Sequence, residues 1–251
     1  MRTHKPSLLC LGLVLDRSAP ANAGVFEVNP VTVSLRRGMT SQLLTLRNRA
    51  TEPIRLQLKV YRWSEDSAGN MGVAPSEEIV VFPTLLEIEG GGARKIRLGM
   101  LTPAGGVEKT FRLVVEEMPA ATAPTPEAQN TVNVVARTSI PVFVEPDKPK
   151  SELKLATFQV RGGAIHLELK NTGNSRLRVQ RIHYTGEGAK LLAAFHHEMG
   201  GWYLLGGGNR IYNVPLPSGM CASLDKLSVL IHSTEAPVRA TVAVKPSDFG
   251  N

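Results

Sequence analysis

Residues 54–61 read Ile-Arg-Leu-Gln-Leu-Lys-Val-Tyr, and the order of apolar and polar residues in this stretch indicates the fold class. Apolar side chains occupy every second position, with mostly polar or charged side chains between them. Because side chains of a β-strand point alternately to opposite faces of a sheet, the pattern predicts a strand with one buried face. The same alternation recurs in 96–100 and 111–116. No stretch carries a convincing helical stripe, so the sequence predicts an all-β protein.

Turns rich in Gly, Pro and Asn separate the predicted strands at intervals of about 8–15 residues, which is typical of an antiparallel sandwich. We predict strands at about 25–36, 41–48, 54–64, 78–83, 93–100, 109–117 and 131–145. Such a set of short strands within one domain is typical of the immunoglobulin-like fold.

A second domain follows a charged, proline-containing segment at 146–151, which indicates an exposed linker. The alternation then resumes in 165–170, 177–180, 227–231 and 238–245. We therefore predict an N-terminal immunoglobulin-like domain at 24–145 and a smaller C-terminal β-sandwich at 152–251.

The composition narrows the classes of function. The 42% of hydrophobic residues can form packed cores, so the chain is not disordered throughout. Aromatic residues make up only 5% of the chain, which argues against nucleic-acid binding by base stacking. The net charge of +7 comes from basic residues spread along strands, which is typical of solvent-facing sheet surfaces. No apolar run reaches the roughly 18 residues that a transmembrane helix needs.

Residues 1–23 have the features of a signal peptide. Basic residues at positions 2 and 5 precede the apolar stretch 7–15, and Ala21-Asn22-Ala23 forms a cleavage signal. The alternative is a short disordered tail. Export would remove Cys10 and leave Cys221 as the one cysteine, so the sequence predicts no intrachain disulfide.

A search for catalytic and metal-binding motifs gave no convincing site. The chain lacks His-Glu-x-x-His, Cys-x-x-Cys and Gly-x-Ser-x-Gly motifs. The best metal candidate is His196-His197-Glu198, but neighbouring residues of a strand point to opposite faces and chelate poorly. We therefore predict a protein that is not an enzyme and that binds neither metal nor cofactor.

The stretch from 118 to 144 has an unusual pattern. Residues 118–130 are rich in Pro and Ala, with little to bury, which predicts a mobile loop. Apolar residues then occupy most even positions of 131–144. Two interpretations stay open: an ordinary last strand of the first sandwich, or a strand whose edge and apolar face bind a partner.

Several short motifs, taken in order, resemble the periplasmic pilus chaperones of chaperone–usher systems, the PapD-like family. The motifs lie at 26–35, 46–48, 53–57, 61–63, 95–98, 111–119, 139–146, 169–174 and 203–210. Each is weak alone, but their order is quite specific and covers nearly the whole chain after the signal peptide.

The resemblance implies two immunoglobulin-like domains set at an angle, with a cleft between them. It implies capture of pilus or fimbrial subunits in the periplasm by donor-strand complementation, followed by delivery to an outer-membrane usher, without cofactor or nucleic acid. The exposed donor strand also favours self-association of the free form. The alternative is a secreted adhesion or ligand-binding module of tandem immunoglobulin-like domains.

The resemblance also identifies candidate site residues. Val132, Val134 and Ala136 match the alternating donor residues of the family. The two basic residues that often anchor the subunit's terminal carboxylate are replaced by Thr32 and Pro141.

Our candidate replacements are Arg112 and, as a weaker one, Lys109. Both lie on the sixth predicted strand. The pattern resembles an archaic branch of the family, which has basic residues on this strand instead. The alternative for Arg112 is a structural pair with Glu116 or with a carboxylate of another strand.

The family's usual hinge is also altered. Glu117 matches one member of its interdomain ion pair, but Glu145 occupies the position of the arginine partner. The family's second-domain disulfide is absent as well. The sequence therefore predicts that the two domains are held together in another way.

Overall fold

The computed structural model describes residues 26–119, 135–188, 195–217, 219–220 and 223–249. The first group of strands comprises β1 (Phe26–Asn29), β2 (Val33–Leu35), β3 (Ser41–Asn48), β4 (Ile54–Glu65), β5 (Met71–Pro75), β6 (Ile79–Phe82), β7 (Leu85–Ile88), β8 (Ala93–Met100), β9 (Lys109–Met118) and β10 (Arg137–Val144). The second comprises β11 (Leu153–Arg161), β12 (Ala164–Asn171), β13 (Leu177–Glu187), β14 (Phe195–Gly200), β15 (Tyr203–Leu204), β16 (Asn209–Pro215), β17 (Lys226–Ser233) and β18 (Val238–Ala243), followed by a 3-10 helix at Pro246–Phe249. The described residues contain no helix with the length and hydropathy of a membrane-spanning segment.

The first sandwich packs two sheets face to face. One has the strand order β1-β3-β8-β6, and the other has the order β2-β10-β9-β4-β5, with β7 also beside β4. The alternating apolar residues of 54–58 are buried, as predicted, and so are those of β8 and β9. The principal core side chains are Leu35, Leu44, Leu46, Leu56, Ile96, Leu98, Phe111, Leu113, Val115, Ile140 and Val142.

The second sandwich is built in the same way from sheets β11-β12-β16 and β14-β13-β17-β18, with β15 beside β13. Its core is formed by Ile165, Leu167, Leu169, Leu177, Val179, Ile182, Tyr184, Leu227, Val229 and Ile231. The predicted all-β fold of two immunoglobulin-like sandwiches is thus confirmed.

The strand prediction is wrong at three points: it joins β1 and β2 into one strand, and it omits β5 and β7. The predicted first strand, 25–36, is two strands in different sheets, because β1 pairs with β3 whereas β2 pairs with β10. Pro30 lies between them and has no N–H group with which to continue a ladder. The strands β5 and β7 were not predicted; every residue of β5 is exposed, so its sequence carries no alternation to reveal it.

The predicted strand at 131–145 is described only from residue 135 onward, and in that part β10 extends from Arg137 to Val144. The predicted signal peptide, most of the predicted loop at 118–130, and Cys221 lie outside the described residues.

The two sandwiches meet through the turn that follows β12. The backbone N–H of Glu108 donates to the carbonyl oxygen of Asn174 at 2.9 Å. The side-chain amide of Asn174 donates to the carbonyl oxygens of Gly106 at 2.8 Å and Lys148 at 3.1 Å. This turn therefore contacts both the first sandwich and the segment that joins the two.

Candidate functional site

Arg112 projects from the outer face of the sheet that contains β9 and β10. It lies directly opposite Pro141 on β10 and Tyr61 on β4. Residues directly opposite each other in an antiparallel pair share one face of the sheet. Phe111 and Leu113 point into the core instead, so Arg112 lies on the opposite face of the sheet. Arg112 therefore lies beside one of the two positions at which the resemblance leads us to expect a basic residue.

The guanidinium of Arg112 is buried among aromatic rings. The side chain is only 3% exposed, and its Cζ lies 3.8 Å from the ring centroid of Trp63 and 5.6 Å from that of Trp202. Its Nε and Nη2 atoms have no hydrogen-bond partner among the described residues. Burial lowers the pKa of Arg112, and the charge of Glu65 partly opposes this. A buried cation with free donors is suited to bind an anion.

Lys109, the second candidate anchor, lies elsewhere. Three positions before Arg112 on the same strand, it projects toward the opposite face. Its Nζ forms an ion pair with Glu78 at 2.6 Å and donates to Oγ1 of Thr102 at 3.1 Å. The structure therefore does not bring Lys109 and Arg112 together around one site.

Of the three candidate donor residues, Val132 and Val134 lie outside the described residues. Ala136 is half-buried and immediately precedes β10. Its N–H donates to the Glu117 carboxylate at 3.0 Å, and its carbonyl oxygen accepts from the Glu117 N–H at 2.9 Å. Glu117, the expected hinge residue, thus holds the start of β10.

One edge of β10 is open over part of its length. The antiparallel partner β9 covers all of it from Arg137 to Val144. On the other edge, β2 pairs only with 142–144, and no described strand pairs with 137–141. An open edge of this kind can accept a strand from another chain.

Three glutamates lie at the end of this sheet that faces the second sandwich. Glu65 ends β4, Glu108 precedes β9 and Glu145 follows β10. From the second sandwich, Arg176 forms ion pairs with Glu108 and, at 3.5 Å, with Glu145. It also donates to Oγ of Ser34 at 2.8 Å. Burial raises the pKa of Glu108, and the charge of Arg176 opposes that rise. These contacts connect the two sandwiches where Glu145 replaces the arginine that the resemblance leads us to expect.

Glu65 makes the second set of polar contacts between the sandwiches. Its carboxylate accepts a hydrogen bond from the indole N–H of Trp202 at 2.8 Å and lies 3.5 Å from the Arg210 guanidinium. Burial raises the pKa of Glu65, while the charge of Arg210 opposes this. Between the two polar sets, the rings of Trp63, Phe143 and Tyr203 pack with centroids 5.3–5.9 Å apart. The junction is therefore an aromatic cluster flanked by ion pairs.

A cavity of about 540 Å³ opens between the sandwiches on the Thr32 side of this junction. It is lined by Thr32, Glu108, Glu145, Arg176, Arg178 and Tyr203, among others. The exposed guanidinium of Arg178 lies over the Tyr203 ring, 5.8 Å from its centroid. The predicted cleft between the domains thus has charged walls.

In the His196-His197-Glu198 motif, the glutamate contacts basic side chains of the neighbouring strand β13. Glu198 lies 2.9 Å from Arg181 and 3.2 Å from the imidazole of His183. In the part of the chain that the structure describes, no group of three or more His, Cys, Asp or Glu side chains could hold a metal ion.

Sequence reasoning did not identify Glu65, Trp202 or Arg176 as site residues. The last two lie in the second sandwich, far along the chain from the strands that they contact. One available signal was that the chain contains only two tryptophans, and both lie at this site.

The first-sandwich sequence identifies the family. A profile of the family described as pili and flagellar-assembly chaperones, PapD N-terminal domain, matches residues 25–150. The chain belongs to this PapD-like family. Among curated protein sequences, none matches the chain.

Solved chaperone structures have a similar fold. The CsuC–CsuE chaperone–tip subunit complex of archaic chaperone–usher Csu pili from Acinetobacter baumannii matches with a TM-score of 0.58 at 18% identity, covering 88% of this chain and 99% of that chain. The complex of SafA pilin with the SafB chaperone from Salmonella enterica matches with a TM-score of 0.55 at 14% identity, covering 87% and 96%. The CupB2 chaperone of Pseudomonas aeruginosa matches with a TM-score of 0.54 at 14% identity, covering 87% and 100%. At these identities the likeness establishes the shared PapD-like fold.

Proposed function

We propose that this protein is a periplasmic chaperone that captures pilus or fimbrial subunits by donor-strand complementation and delivers them to an outer-membrane usher. The observation that carries the proposal is the open edge of β10 at 137–141, directly after the candidate donor residues. Membership of the PapD-like family supports the chaperone hypothesis over the alternative of an adhesion module. No step of this function needs a cofactor or an enzymatic activity.

The alternation of β10 supports the donor assignment. Ile140 and Val142 point into the core of the first sandwich. Val132, Val134 and Ala136 have the same even parity, so a continuous strand places them on the same face as these core residues. Each valine that enters a subunit groove contributes about 1.5–3 kcal/mol, and the smaller alanine contributes about 0.8 kcal/mol. Hydrogen bonds along the strand edge supply the register.

Arg112 is the proposed anchor for the terminal carboxylate of the subunit. It is the cross-strand neighbour of Pro141, so a cation is present one strand away from the usual position. Its free Nε and Nη2 atoms offer the two donors that a bidentate carboxylate needs. Lys109 is engaged by Glu78 and has no part in this proposal.

The test is co-purification of the tagged protein from its host's periplasm, with bound chains identified by intact mass. Val134→Asp should abolish subunit capture, because a charge would have to enter an apolar groove. Asn133→Asp adds the same charge on the opposite face of the strand and should retain capture. Equal capture by both folded variants would refute the donor assignment. Failure of the wild type to bind any subunit, as a monomer or a self-dimer, would refute the chaperone proposal.

A further inference from the structure

Both tryptophans of the chain flank the guanidinium of Arg112, one from each sandwich. Trp63 lies on β4, and Trp202 lies in the short connection between β14 and β15. Their ring centroids are 3.8 Å and 5.6 Å from Cζ of Arg112. Because Trp202 belongs to the second sandwich, the cover over Arg112 depends on how the two sandwiches meet.

Trp202 is fixed by one polar contact and one ring contact. Its indole N–H donates to Glu65 at 2.8 Å, and its ring packs nearly perpendicular to that of Tyr203, with centroids 5.7 Å apart. The Trp202 side chain is 40% exposed, whereas Arg112 beneath it is 3% exposed. Trp202 therefore lies between solvent and a cation that is almost fully buried.

Among the residues that the structure describes, no carboxylate forms an ion pair with Arg112. Glu65 is engaged by Trp202 and Arg210, and it influences Arg112 only through its charge. Nε and Nη2 of Arg112 lack any hydrogen-bond partner among the described residues. Burying a guanidinium with unpaired donors costs free energy, which the contact with the Trp63 ring offsets only in part.

We propose that Trp202 is a lid that closes the carboxylate site at Arg112 in the free protein, with Glu65 as its latch. The inference rests on the proposed function, because it assigns Arg112 to a terminal carboxylate. Opening breaks the hydrogen bond between Trp202 and Glu65 and exposes the two free donors of Arg112. A carboxylate then binds both donors in the space that the ring leaves. The lid residue comes from the second sandwich, so carboxylate binding and the domain junction are coupled.

The first measurement needs no ligand. Phenylglyoxal modifies accessible arginines, and peptide mass spectrometry of the full-length mature protein gives a rate for each one. Arg97, whose guanidinium lies on the exposed face of the other sheet and donates to Ser41, is the internal reference. We expect Arg112 to react much more slowly than Arg97 in the wild type. Trp202→Ala should accelerate modification of Arg112 by about tenfold or more, since reaction then needs no local opening.

A second variant keeps the test decisive if Trp202→Ala does not fold. Trp202→Phe retains a ring but loses the indole N–H, so the latch is broken and modification of Arg112 should accelerate by a smaller factor. Rapid modification of Arg112 in the wild type would overturn the lid. The lid would also be overturned if Arg112 reacted equally slowly in the wild type and in a folded Trp202 variant. In that case residues other than Trp202 would bury Arg112.

The ligand part of the experiment uses N-acetylalanine, which has a free carboxylate, and N-acetylalanine amide, which does not. In the Trp202→Ala protein, the acid should protect Arg112 from phenylglyoxal and the amide should not. If the lid behaves as proposed but neither compound protects Arg112, the carboxylate-anchor part of the proposed function fails and the lid stands.

Discussion

Arg176 forms an ion pair with the buried carboxylate of Glu108, which lies 68 residues earlier in the chain and in the other sandwich. The same guanidinium lies over the ring of Phe143, with Cζ 3.7 Å from its centroid. One side chain of the second sandwich thus combines a charged and an aromatic contact to the first. This residue is therefore one of the contacts that connect the two domains.

We expect Arg176→Ala to lower the free energy of unfolding by about 3–5 kcal/mol, because it leaves Glu108 buried without its partner. It should also separate the unfolding of the two sandwiches into two calorimetric transitions. The matched control is Arg181→Ala, on β13, the strand that begins directly after Arg176. Its pair with Glu198 is exposed, so that loss should stay within about 1 kcal/mol. Equal effects of the two variants would contradict this role of Arg176.

The stability contribution of Glu108 should depend on pH. Burial raises the pKa of this carboxyl above its ordinary value of 4.5. The folded protein then binds the proton more tightly than the unfolded chain, so the contribution is greatest below pH 4.5 and is lost as pH rises through the raised pKa. The Glu108→Gln variant cannot titrate at this position. Denaturation at a series of pH values should therefore show its stability rising relative to wild type as pH increases, and a constant difference would contradict the expectation.

Lys109→Ala should leave subunit capture unchanged, in contrast to Arg112→Ala, which should weaken it.

Lys109 lowers the pKa of Glu78 by hydrogen bonding, so this pair stabilises the fold above pH 4.5 and loses its effect as pH falls through the lowered pKa. The loss of stability at neutral pH should be about 1 kcal/mol, because both side chains remain partly exposed. Co-purification and urea denaturation check the two expectations. A folded Lys109→Ala protein that fails to capture subunits would show that our structural assignment of Lys109 is wrong.

Asn48 should be among the most sensitive polar positions of the first sandwich. It is fully buried, and its side-chain amide donates to the carbonyl oxygens of Glu52 at 2.7 Å and Ile88 at 3.0 Å. We expect Asn48→Ala to lower the free energy of unfolding by about 3 kcal/mol, since buried carbonyl groups lose their donors. Asn70, whose side chain contacts Asp66 in an exposed turn, provides the control. Asn70→Ala should cost less than about 1 kcal/mol, and urea denaturation of both variants compares them.

Part of the candidate site could be predicted from the sequence because it depends on local alternation. The face on which Arg112 lies follows from the apolar residues on either side of it, because Phe111 and Leu113 point into the core. The donor residues follow from a resemblance and an even-numbered apolar pattern. Val132 and Val134 lie outside the described residues, so their role stays a prediction.

The strand periodicity and the two-sandwich architecture could be predicted from the sequence, because side-chain alternation is a property of neighbouring residues. The family was predicted from the order of several short motifs. Three features are visible only in the three-dimensional structure: the division of 25–36 between two sheets, the position of Trp202 beside Arg112, and the ion pair of Arg176 with Glu108. These contacts join residues far apart in the chain, and their geometry depends on how two separately packed sandwiches meet. No local sequence pattern predicts how the two sandwiches contact each other. An arginine on the outer face of a strand has the same sequence pattern whether it faces water or another domain.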